Sequence, residues 1–182
     1  FIFQPSEEKP SGGAKKMIEE GIISDMDYII GYHLFSFLPF GKLWIGKGPV
    51  MANTDAFKIK IVGKGGHGST PHLTNDPITC TGYLITSLQT IVSRRVDPLV
   101  ACVVSIGKIS GGCVFNVIPD EVEIIGTIRT LSEDIRKKAK NEIEKITEKI
   151  CLAFDCKGEI EYDEHSPISV NDKFFSEKII SI

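Results

Sequence analysis

Ile135, Ala139, Ile143, Ile146, Ile150 and Phe154 recur every three or four residues between positions 132 and 154, with lysines and glutamates filling the gaps. That spacing predicts one long amphipathic helix with a single apolar stripe. Thr130 or Ser132 is placed to cap it, and Glu133 and Asp134 suit the positive end of its dipole. Such a stripe must be buried against something, and the flanking sequence supplies strands: "EVEIIGTIRT" (121–130) before it and "GEIEYDE" (158–164) after it.

Upstream the same logic repeats. In "DAFKIKIVG" (55–63), Phe57, Ile59 and Ile61 face one way and Lys58 and Lys60 the other, the mark of a half-exposed antiparallel strand. A glycine-rich loop, "GKGGHGSTPH" (63–72), follows. Its glycines allow a close backbone approach to a ligand and permit positive φ. Asn75/Asp76-Pro77 opens a second helix, with Thr81, Ile85, Leu88 and Val92 on one stripe and Arg94-Arg95 at its end. "LVACVVSIGKI" (99–109) reads as strand and "GGCVFNVIPD" (111–120) as a loop or turn. Residues 55–164 thus run β-α-β-β-α-β, the ferredoxin-like split βαβ arrangement, in the α+β class.

The first fifty residues have a different texture. Phe1–Phe3 is an apolar run, Ser11–Glu20 carries helical spacing ended by Gly21, and "DYIIGYH" (27–33) is apolar again. Strand, helix, strand at this length predicts a right-handed βαβ unit of an α/β domain. Parallel neighbours put their carboxyl ends on one sheet edge, where ligands bind. Glu7, Glu8 and His33 are expected there. The chain opens on Phe1 inside a strand-like run and closes on "SEKIISI", so it reads as a piece of something longer.

Composition narrows the partners. At 42% hydrophobic and 25% charged the chain is globular, and its net charge of −3 gives no reason to expect nucleic acid or an anionic membrane. No apolar run is long enough to span a bilayer, and no signal peptide is visible. Five cysteines without a C-x-x-C read as scattered reduced thiols, pointing to the cytoplasm.

Several polar residues invite a chemical reading beside a plainer one. A carboxylate and an imidazole are suitable zinc ligands, and a second carboxylate can serve as general base. Glu7, Glu8 and His33 fit that set, or else form a solvated acid pair and a strand-end histidine. His67 sits among glycines, as a ligand contact or as the exposed tip of a tight loop. Asn116 could meet an oxyanion or bond its own turn. Arg129 could clamp a carboxylate or lie exposed on a strand. His72 suits the helix start, and His165 the surface. No G-x-S-x-G is present.

Together "FQPSEE", "GYHLF", "KGPVMANTD", "GKGGHGSTPH", "NDP", "FNVIPDEVEIIGTIRT" and "SPISVND" resemble the metal-dependent amidohydrolases of the aminoacylase/carboxypeptidase family, in the branch of N-acyl-amino-acid amidohydrolases and hippurate hydrolases. The resemblance implies an α/β catalytic-domain remnant over 1–50, an inserted ferredoxin-like lid and dimerisation domain over 51–165, and a segment over 166–182 that returns to the catalytic domain. It implies a small N-acyl amino acid or peptide substrate, a homodimer through the lid, and two divalent metal ions, zinc first with manganese, cobalt or nickel as alternatives. On this resemblance Glu7 is the general base, Glu8 and His33 are metal ligands, His67 stabilises the oxyanion, and Asn116 and Arg129 hold substrate. The family's other ligands lie outside these residues, so the chain alone is expected neither to bind catalytic metal tightly nor to turn over substrate. The alternative is a stand-alone dimerisation or small-ligand module without catalysis.

Overall fold

The computed structural model describes residues 1–7 and 12–181, so Glu8 lies outside the described residues. The chain divides into two compact units, Phe1–Ile45 and Gly46–Ile182.

Among the described residues of the first unit the only regular element is helix α1, Gly13–Glu19, which buries none of its residues. Phe1–Phe3 and residues 27–33 are not strands, contrary to the βαβ expectation. A parallel strand needs a neighbour to bond and a covering layer on each face. The described residues of this unit offer neither, and Phe1, Phe3, Tyr32 and Leu34 are exposed.

In the second unit β1 (Gly48–Met51) pairs antiparallel with β8 (Ser169–Asn171), and α4 (Lys173–Ile180) follows. Between them lie β2 (Thr54–Val62), the short β3 (Gly66–His67), α2 (Pro77–Leu88), β4 (Cys102–Gly111), the short β5 (Val117–Ile118), β6 (Glu121–Thr130), α3 (Glu133–Ala153) and β7 (Lys157–Ser166). The four long strands form one antiparallel sheet in the order β4-β6-β2-β7. Phe57, Ile59 and Ile61 of β2, with Ile124 and Ile128 of β6, point inward and meet Leu84, Leu88, Ala139 and Ile143 of the helices.

Local chemistry sets the element ends. Asp76 caps α2, its Oδ1 accepting from the Ile78 and Thr79 amides at 2.9 and 3.3 Å. Ser132 stands at the α3 N-cap but makes no side-chain cap bond. The buried stripe of α2 is Cys80, Thr81, Leu84 and Leu88, continued by Ile91. The helix is therefore turned slightly from the orientation its sequence suggested, with Leu84 and Ile91 going inward ahead of Ile85 and Val92. All five cysteines are free, and Cys80 and Cys151 face each other with sulfurs 3.9 Å apart. Burial, then the neighbouring Cys151, pushes the Cys80 thiol up to about 12.

Gly126, at the centre of β6, pairs with Phe57 of β2. A Cβ there would lie 2.4 Å from the Phe57 ring and 2.4 Å from the Ser105 carbonyl oxygen. Gly126→Ala is expected to cost roughly 1–3 kcal/mol through overpacking. Urea denaturation with an unchanged m-value checks this.

One ion-pair network was not legible beforehand. Asp55, fully buried on the core side of β2, accepts two hydrogen bonds of 2.7 Å from Arg136 of α3, and Lys140 lies 3.3 Å away. Burial is the largest single influence on the Asp55 carboxyl and raises its pKa. The Arg136 and Lys140 interactions together outweigh burial and hold it below its ordinary value. Among the described residues no helix is long and apolar enough to cross a membrane.

Candidate functional site

The glycine-rich loop earns its composition by packing on the protein's own backbone. A Cβ on Gly65 would fall 2.4 Å from the Ile118 carbonyl oxygen. None of Gly63, Gly65, Gly66 or Gly68 has positive φ, so close approach, and not backbone handedness, requires them. The result is a small ribbon in which β3 pairs with β5, His67 opposite Val117. The Gly68 amide donates to the Asn116 carbonyl oxygen at 2.8 Å. Residues far apart in sequence, His67 and Asn116, thereby share one loop cluster. Beside them is an open depression of about 400 Å³, lined in part by Ile78, Val114, Phe115 and Val117.

Ser69 holds the His67 ring. Its backbone amide donates to Nδ1 at 3.2 Å, and its hydroxyl lies 2.7 Å from the same nitrogen. A nitrogen that accepts an amide proton carries no proton itself. In the neutral ring the proton is therefore on Nε2, making that atom a hydrogen-bond donor.

Arg129 lies elsewhere. It stands near the end of β6, whereas Asn116 precedes its start. The eight residue steps from Glu121 to Arg129 span about 26 Å of strand. The Arg129 guanidinium donates through Nη1 to Thr54 Oγ1 of β2. Asn53, fully buried, clamps the backbone on both sides of it: Nδ2 donates to the Ile128 carbonyl at 3.1 Å, and Oδ1 accepts from the Thr130 amide at 2.7 Å. Sequence reasoning missed both Asn53 and Thr54, because the contacts cross some 75 residues.

Glu7 and His33 belong to the first unit. Glu7 is exposed. His33 Nδ1 lies 3.0 Å from the Leu34 carbonyl oxygen, and its ring stacks on Phe35. Among the described residues no group of three or more His, Cys, Asp or Glu side chains is placed to hold a metal ion. The described residues do not by themselves make a metal centre. His165 is less exposed than a surface role implies, with Nε2 3.4 Å from Asp163.

The peptidase dimerisation domain family matches residues 53–155. The thermostable carboxypeptidase 2 of Saccharolobus solfataricus is 43% identical over all of this chain and 47% of its own length. The N-acyl-L-amino acid amidohydrolase of Geobacillus stearothermophilus is 44% identical over 90% of this chain and 44% of its own. A solved Bacillus subtilis structure, a dinuclear metal-binding peptidase from the M20 family, is 33% identical with a TM-score of 0.78, covering 97% of this chain and 44% of that one. The chain thus spans about half the length of the curated relatives it matches. With a family match over more than half its residues and that ribbon-and-sheet architecture, the chain belongs to the M20 peptidase dimerisation-domain family.

Proposed function

We propose that this chain carries the lid of an amidohydrolase that cleaves the amide bond of N-acyl amino acids, and that two copies share each active site. The strand order β4-β6-β2-β7 supports a ferredoxin-like lid over residues 51–165. In this reading residues 1–50 belong to the catalytic domain and residues 166–182 return to it. Glu7 is the general base, and Glu8 and His33 are this chain's share of a two-metal centre whose metal identity is open. His67 Nε2–H donates to the developing oxyanion, Asn116 holds the amide, and Arg129 takes the substrate carboxylate.

The observation that carries the reading is the separation of those groups. His67 and Asn116 precede β6 and Arg129 ends it, so one small substrate held at Arg129 needs its His67 and Asn116 from a second copy. The sheet edges favour such a pair. β7 is crowded with charged side chains, Glu159, Glu161, Asp163 and Glu164 with their basic partners, and such an edge is costly to cover with another strand, whereas β4 exposes Val103 and Ile109 and carries one charge, Lys108, paired with Glu123. Two copies therefore meet along β4.

The test is the full-length enzyme incubated with N-acetyl and N-benzoyl amino acids, scored by the freed amine. Release of amine from both is expected; release from neither removes the proposal.

A further inference from the structure

The charge pattern of the sheet singles out one cation. Lys58, Lys60, Lys108 and Lys157 are each paired with a glutamate, at 2.6, 2.6, 3.7 and 2.7 Å. Arg129, exposed on its strand, makes no ion pair among the described residues, and its one hydrogen bond goes to a neutral hydroxyl, Thr54 Oγ1. A guanidinium has five donors, so this leaves most of them open. The backbone beneath it is fixed. Asn53 and Asp55 both point into the core, where Asn53 bonds residues 128 and 130 and Asp55 binds Arg136. Alternation along β2 then obliges Thr54 to point to the opposite face, beside Arg129.

We infer that Thr54 is a positioning residue that sets selectivity for substrates with a free carboxylate: it holds one arm of the Arg129 guanidinium so that the remaining donors face outward as a preset fork for that group. This rests on the reading of Arg129 as the carboxylate clamp. Without Thr54 the long side chain samples many rotamers, and the carboxylate must order it on binding. The effect belongs to substrate binding and not to the chemical step.

The experiment compares an N-acetyl amino acid with its C-terminal carboxamide, using the full-length enzyme. Thr54→Val keeps shape and strand preference but removes the acceptor. It is expected to raise KM for the free acid about 5- to 10-fold, with kcat within about twofold and the carboxamide unaffected. Thr54→Ser restores KM. An unchanged KM for the acid, or an equal rise for acid and carboxamide, overturns the inference. Arg129→Ala separates the two layers: it should abolish the preference for the acid over the carboxamide. If the preference survives that change, the clamp reading fails and the role of Thr54 fails with it.

Discussion

Replacing Arg136 with alanine is expected to destabilise the Gly46–Ile182 unit by about 3–5 kcal/mol, because it leaves the buried Asp55 carboxylate without its bidentate partner. Lys140, 3.3 Å away, supplies charge but only partial compensation. Urea unfolding measures the loss; a cost under about 1 kcal/mol would mean that the pair is solvated. The same pair sets an acid limit. The folded Asp55 carboxyl titrates below its ordinary value of 3.8, so its stabilisation is present above that value and is lost as pH falls through the folded one. Asp55→Asn should be less stable at neutral pH and lose less stability on acidification, seen as a flatter melting-temperature profile below about pH 4.

His67→Ala in the full-length enzyme is expected to lower kcat by about 100- to 1,000-fold, the size of losing one oxyanion donor. Arg129→Ala should lower kcat/KM by about 10- to 100-fold, chiefly through KM. The decisive result comes from combining them. If each active site takes Arg129 from one copy and His67 from the other, subunits of the two variants complement each other. An equal mixture, unfolded and refolded together, should recover about a quarter of wild-type activity, since half the dimers are mixed and each holds one intact site. No recovery, with dimers formed, places Arg129 and His67 of each site in the same copy.

What could be read from the sequence followed from periodicity. The α3 stripe from Ile135 to Ile150 and the alternation of Phe57, Ile59 and Ile61 stand where their spacing put them, because each buries one face on a single core. The α2 stripe was ambiguous for a physical reason. Leu84 and Ile85, like Ile91 and Val92, are apolar neighbours, and only packing against α3 and the sheet chooses between them. Residues 1–3 and 27–33 had the composition of buried strands, but composition does not provide a neighbour to bond. The His67–Asn116 ribbon and the Asn53–Thr54–Arg129 cluster were invisible as contacts, since neither has a local signature. The glycines marked a tight place without saying what would fill it, and that turned out to be the chain's own backbone.

The unequal rims of the four-stranded sheet bear on how far association can proceed. A surface that welcomes another subunit on both sides propagates into a fibre, whereas one with a single receptive side is used up by the first encounter. On the proposed pairing along β4, with Val103 and Ile109 on one margin and a strand crowded with charged side chains on the other, growth would stop at two. The size of such an assembly would then be set by the difference between the two outer strands.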